Sequence, residues 1–243
     1  STNGNKGTEI GIKIMKLKIS NPKINFDFIH KKGFVSLTDV EILNKTFEHI
    51  KNDRTYTSPH SHITQLNPNQ IKSESIFKIL SKKIEFFFAE ELGLSDLKLA
   101  KLWLVTSVNK NTIPSVLPYI PHFDKHRFLK AMVYLHNVTE NHGPIHLGRI
   151  DENADIEHRR NNLPVDYKVH GLNTIEKKDI VNEMTPMVGS AGDVIFFDTN
   201  TAHKAGIVAE GFERRVLRFD FDFLGLNVKP SFIKKVLNKF LKI

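Results

Sequence analysis

The sequence predicts a mainly β protein, a jelly roll or barrel with helices packed on one side, and three observations lead there. Two amphipathic helical patterns occupy the first part of the chain. From Leu99 onward the apolar runs shorten to strand length, and Gly-, Pro- and Asn-containing turns separate them. Helices first and many short strands afterwards make a sheet-rich core carrying a helical layer.

Residues 1–20 are polar and rich in Gly, Asn and Lys, and read as a flexible start with a weak alternation through Ile10, Ile12, Ile14 and Leu17. A first helix is predicted over 39–52, behind Thr38 and Glu41 at capping-box spacing. Asn67-Pro68-Asn69 breaks the chain. Ile76, Ile79, Leu80, Ile84, Phe87 and Phe88 then recur at helical spacing, and Gly93 stops the second helix. Strand-like segments follow at 99–108, 128–136, 166–170, 184–188, 193–198 and 213–223. In the last, Leu217, Phe219, Phe221 and Phe223 share a face with Arg215, while Arg214, Val216, Arg218, Asp220 and Asp222 share the other. No repeat or linker divides the chain, so 1–243 is expected to form a single domain.

The 243 residues contain no cysteine, which excludes a disulfide scaffold, a thiolate metal site and a cysteine nucleophile. No run of apolar residues is long enough to span a bilayer, and no secretory signal opens the sequence, so a cytoplasmic protein is expected. The chain starts at Ser1, and any address upstream of it is out of view. The formal net charge of +8 is carried mostly by Lys, in a sequence also rich in Ile, Asn and Phe. That bias reflects an AT-rich genome as readily as an anionic partner. With no nucleic-acid signature beside it, no specific nucleic acid is expected.

With twelve histidines, single ones carry little information. His122-Phe-Asp124 is the one H-x-D triplet. On extended backbone, residues i and i+2 point the same way, so an imidazole and a carboxylate converge. A third ligand from a neighbouring strand completes a facial triad that leaves positions on Fe(II) open. His203 is the candidate, at the end of a loop that follows the apolar strand launched by Gly192-Asp193. Taken singly, these residues read equally as a surface turn and an ordinary loop histidine. Arg214, eleven residues past His203, sits on the polar face of a Phe-rich strand and wants an anionic partner.

In their order, these pieces resemble the phytanoyl-CoA dioxygenase-type family of Fe(II)/2-oxoglutarate oxygenases over about half the chain. Pro121-His122-Phe123-Asp124 matches the H-x-D site, and Leu129-Lys130 with Tyr134-Leu135 and Val138 matches the strand after it. Gly143-Pro144 matches the turn before a short strand. Gly192-Asp193 with Phe197-Asp198 leads to the distal histidine, His203, and Arg214-Arg215 with Leu217 matches the final strand. The resemblance implies a double-stranded β-helix with an N-terminal helical layer. It implies that His122, Asp124 and His203 hold Fe(II), that 2-oxoglutarate chelates the iron, and that Arg214 pairs with its far carboxylate. Dioxygen (O2) takes the last position, and succinate and CO2 leave as an unactivated C–H bond of a small-molecule, lipid or glycan substrate is oxidised. Asp124 supplies the carboxylate that related halogenases lack, so hydroxylation or a similar oxidation is expected.

The sequence departs from the family at Ile145-His146-Leu147-Gly148-Arg149, where a Pro-Gly-Ser-His loop is common, and at Val216, where Ser or Thr is frequent. These departures support the alternative, a catalytically degenerate cupin-like barrel that binds metal or ligand without turnover. Alternation favours Arg214 over Arg215 as the anchor. Lys130 and Tyr134 share a strand face with Met132 and His136, and read either as pocket-lining contacts to the cosubstrate or as a solvated face. His60-Ser61-His62 reads as a polar loop, His126 as part of the entrance, and Trp103 as core. Asp151–Asn162 reads as an exposed insertion or a lid. Residues 230–243 form an amphipathic basic helix, which either docks on the barrel or a sister subunit or lies on an anionic membrane. No feature of the sequence sets an oligomeric state.

Overall fold

The computed structural model describes residues 28–50, 55–58, 61–66, 75–94, 97–109, 118–124, 127–150 and 183–222. The expectations for 1–20, 166–170, Asp151–Asn162, His60, His126 and 230–243 lie outside these residues. The elements run β1 (Phe28–Lys31), α1 (Leu37–Ile50), β2 (Thr55–Ser58), β3 (Ser61–Gln65), α2 (Ser75–Leu92), β4 (Lys98–Val108) and β5 (Leu129–Tyr134). They continue with β6 (His146–Ile150), β7 (Thr185–Pro186), β8 (Val194–Asp198), β9 (Thr201–Lys204) and β10 (Glu213–Asp222). No helix among the described residues is long and apolar enough to cross a membrane.

The strands form two antiparallel sheets, a larger one in the order β1-β8-β5-β10-β4-β3-β2 and a smaller one in the order β7-β6-β9. Alternation along the strands divides the core in two. Leu129, Ala131 and Val133 of β5, Val194 and Phe196 of β8, and Leu217, Phe219 and Phe221 of β10 pack outward against α1 and α2. Their neighbours Met132, Tyr134, Ile195, Phe197 and Val216 face inward, where they meet Leu147 of β6 and the adjoining Ile145 and Met187. The inner face of the large sheet is therefore a second interior, and it holds the site described below.

Helix α1 starts two residues earlier than the sequence predicts. The Ser36 hydroxyl, not Thr38, accepts the backbone N–H of Asp39 at 3.1 Å. Val35 before the cap and Val40 inside the helix are both buried in one cluster, a hydrophobic staple that fixes the entry. In α2 the inward residues are Ile76, Phe77, Leu80, Ser81, Ile84, Phe87 and Phe88. Ile79, expected on that face, is 61% exposed: it lies about 100° around the helix from Leu80 and falls off the stripe formed by Phe77, Leu80, Ile84 and Phe88. Gly93, at φ 65°, ends the helix as expected.

The turn into β8 ties the helical layer to the sheet. The Val35 N–H donates to the Gly192 carbonyl at 2.9 Å. Gly192 has φ +87°, and a Cβ there would lie 2.3 Å from the Val35 oxygen. Asp193 beside it accepts the N–H of Gly33 at 2.8 Å and of Ser190 at 2.9 Å, with His30 Nε2 3.0 Å away. Burial raises this carboxyl, but those donors outweigh it and hold it below its ordinary range. Gly33, at φ +59°, has nothing within 4 Å of its added Cβ and serves as a control. Gly33→Ala is expected to cost only the backbone penalty, about 1 kcal/mol, in urea unfolding. Gly192→Ala adds a backbone clash and is expected to cost about 3 kcal/mol or more. Equal losses for the two variants contradict the contact.

Candidate metal centre

His122 and Asp124 lie on an extended segment hydrogen-bonded to the turn and strand that follow β8. The His122 N–H donates to the His203 carbonyl and the His203 N–H to the His122 carbonyl, each at 3.0 Å, and the Asp124 N–H reaches the Thr199 carbonyl at 3.2 Å. This pairing brings together the three residues that the sequence picks out. His203 lies on β9, not in the loop expected there, and Leu147 of β6 is its partner across the smaller sheet.

One nitrogen or oxygen from each of His122, Asp124 and His203 falls within 4.8 Å of the others. Asp124 Oδ1 is 3.3 Å from His203 Nε2 and 3.6 Å from His122 Nε2. Neighbouring ligands bonded at about 2.1 Å to one ion sit about 3 Å apart, so a small contraction fits the three to a metal. The far nitrogens confirm the orientation. His122 Nδ1 donates to the Ile120 carbonyl and His203 Nδ1 to the Thr201 carbonyl, each at 2.8 Å. A carbonyl can only accept, so the protons sit on Nδ1 and the Nε2 lone pairs face the carboxylate.

The electrostatics leave His203 and Asp124 in metal-binding form. Burial, reinforced by His122, pushes the His203 imidazole down to about 4 against the opposing pull of Asp124. Burial raises the Asp124 carboxyl, but Lys130, then the two histidines, outweigh it and hold it well below the ordinary carboxylate range. The Lys130 ammonium ion-pairs with Asp124 Oδ2. That contact occupies one carboxylate oxygen and turns the other, Oδ1, toward both imidazoles.

A buried clamp that sequence reading missed supports this segment. Arg127 Nε and Nη2 donate to Asp198 at 2.5 to 3.0 Å, and Asp198 is 0% exposed. Asp198 Oδ1 also accepts the Asn200 N–H at 2.9 Å, and the Thr199 hydroxyl accepts the Phe128 N–H at 2.8 Å. The clamp fixes the Thr199-Asn200 turn from which Asp124 hangs and β9 starts.

Arg214 projects from β10 into the space between the sheets, with Val216 beside it on the same face. It is 4% exposed. Its Nη2 reaches the Ser107 hydroxyl at 3.3 Å, and Nε and Nη1 have no hydrogen-bond partner among the described residues. Burial lowers its pKa, opposed only by the nearby Tyr134 and Tyr119 phenols. The Tyr134 hydroxyl itself donates to the Met187 carbonyl, and burial holds that phenol protonated. Arg215 points the other way, to Glu48 at 3.4 Å and Glu213 at 3.1 Å. Trp103, expected in the core, is only partly buried on the inner face and donates Nε1–H to Asp220 at 2.9 Å. Only the backbone of His62 is described; it pairs with Thr106 and is not in a loop.

No protein-family model and no curated protein matches the sequence. Solved structures do match. The epimerase SnoN, in complex with Fe3+, alpha ketoglutarate and nogalamycin RO, superposes with a TM-score of 0.58 at 18% identity, over 80% of this chain and 78% of that one. The fold is a double-stranded β-helix. EvdO2 from Micromonospora carbonacea var. aurantiaca gives 0.58 at 16% identity, over 80% and 85% of the two chains. HygX from Streptomyces hygroscopicus, with nickel and 2-oxoglutarate bound, gives 0.56 at 16% identity, over 80% and 82%. These superpositions establish the double-stranded β-helix fold.

Proposed function

We propose that this chain is an Fe(II)/2-oxoglutarate-dependent oxygenase of the phytanoyl-CoA dioxygenase type that hydroxylates a small-molecule, lipid or glycan substrate. The observation that carries the reading is Arg214, a buried guanidinium with two donor nitrogens unused among the described residues, in the same interior as a His-Asp-His triad. Burying such a cation without a counter-charge costs several kcal/mol, and a bound dicarboxylate removes that cost. His122, Asp124 and His203 would hold the iron, and Arg214 would hold the distal carboxylate of 2-oxoglutarate.

Iron with 2-oxoglutarate, held by these residues, would supply an oxidant for an unactivated C–H bond, with succinate and CO2 as the coproducts. The protein's own residues bind and position. The Nδ1 bonds to Ile120 and Thr201 keep both Nε2 lone pairs aimed inward. Lys130 holds Asp124 with one oxygen free. Met132, Ile195, Phe197 and Val216 make the surrounding interior apolar and exclude water from it. Asp124 favours hydroxylation over halogenation, because it supplies the carboxylate that halogenases replace with chloride.

The test is slow turnover without a prime substrate. Fe(II)-loaded protein in air is expected to convert 2-oxoglutarate into succinate. Arg214→Met is expected to lose that activity and keep wild-type affinity for Ni(II). Wild-type protein that binds metal but neither binds nor consumes 2-oxoglutarate is the degenerate metal-binding barrel instead.

A further inference from the structure

Beside the triad, the inner faces of β4, β5 and β10 carry a charged wall with one cation left over. In register, Asp220 lies opposite Lys101 on one side and Lys130 on the other, and Arg218 lies opposite Trp103. Arg218 donates to both oxygens of Asp220 at 2.9 and 3.0 Å, and its guanidinium sits 5.1 Å from the Trp103 ring. Trp103 Nε1 donates to the same carboxylate, so Asp220 is fully engaged. Lys130 pairs with Asp124. Of Arg218, Lys130 and Lys101, Lys101 is the one without an ion pair among the described residues. Its Nζ lies 5.5 Å from the Trp103 ring and 5.6 Å from the Phe128 ring. The residue is half-buried, and burial lowers its pKa, a penalty that a bound anion relieves. Lys101 and the Lys130 that pairs with Asp124 flank Asp220 in register, which sets Lys101 on the triad's side of the wall. Arg214, opposite Ser107, is toward the other end of the same strand pair.

We infer that Lys101, over its Trp103–Phe128 aromatic floor, recognises an anionic group, carboxylate or phosphate, on the prime substrate. The inference rests on the oxygenase reading and narrows it: Arg214 takes the cosubstrate's far carboxylate, and Lys101 takes the charge of the molecule to be oxidised.

The probes are phenylacetate, phenyl phosphate and uncharged phenylacetamide, titrated by calorimetry into protein loaded with Ni(II) and 2-oxoglutarate. At least one anion is expected to bind about tenfold to a hundredfold more tightly than the amide, as a charge-assisted hydrogen bond provides. The tighter anion identifies the group. Lys101→Met is expected to erase the preference and Lys101→Arg to keep it, with Ni(II) and 2-oxoglutarate affinities unchanged in both. Equal or absent binding of all three probes overturns the inference, as does a preference that survives in Lys101→Met. Loss of 2-oxoglutarate affinity in Lys101→Met overturns it too, by moving Lys101 to the cosubstrate. Wild-type protein that fails to take Ni(II) or 2-oxoglutarate is a separate outcome, in which the oxygenase reading falls and this inference with it.

Discussion

Asp124→Ala is expected to lower the affinity for Ni(II) or Fe(II) by more than about a hundredfold, since changes even to outer partners of metal ligands cost 10–100-fold. The variant removes the oxygen that both imidazoles face at 3.3 and 3.6 Å. It also strips the buried Lys130 of its counter-ion, so a loss of stability is expected alongside. The double variant Asp124→Ala/Lys130→Met separates the two effects. Its stability in urea is expected to recover toward wild type, because no buried charge is left unpaired, while metal affinity stays lost. Metal binding that persists in the double variant places the ion elsewhere and contradicts the triad.

Arg127→Met is expected to destabilise the fold by about 3–5 kcal/mol, the range for breaking a buried ion pair from one side. Asp198 is wholly buried and would keep only the Asn200 N–H among the contacts described above. Because Asp198 and Thr199 shape the turn that carries Asp124 and starts β9, metal affinity is expected to fall with stability. Adding Asp198→Asn keeps an acceptor for Asn200 and removes the stranded charge, so it is expected to restore part of the loss. A single Arg127→Met variant within about 0.5 kcal/mol of wild type shows that the clamp contributes nothing.

The convergence of His122, Asp124 and His203 was legible because its geometry is local. Two residues on extended backbone must point the same way, and the ordered motifs around them supplied the third. The clamp was not legible, because Arg127 and Asp198 are 71 residues apart and no short spacing links them. Strands β1, β2 and β3 are short pieces whose pairing, not whose pattern, makes them strands. The start of α1 turned on which of two hydroxyls, Ser36 or Thr38, stood where Val35 is pinned to Gly192, and that pin joins distant parts of the chain. Strand β10 shows a further limit. Its alternation correctly separated Arg214 from Arg215, yet charge on the other face did not mean solvent, because in a double-stranded β-helix that face lines the site. For the same reason Trp103 looked like core, when it is the floor between Arg218 and Lys101.

The most direct test of the central claim is an anaerobic titration of the metal-free protein with Fe(II) and 2-oxoglutarate, following visible absorption. A 2-oxo acid chelated to Fe(II) through its carboxylate and keto oxygens gives a metal-to-ligand charge-transfer band that neither component shows alone. Wild-type protein is expected to develop the band, saturating at one iron and one 2-oxoglutarate per chain. Asp124→Ala and Arg214→Met are expected to lose or weaken it, the first through the metal and the second through the cosubstrate. Folded wild-type protein that holds iron yet gives no band contradicts the assignment.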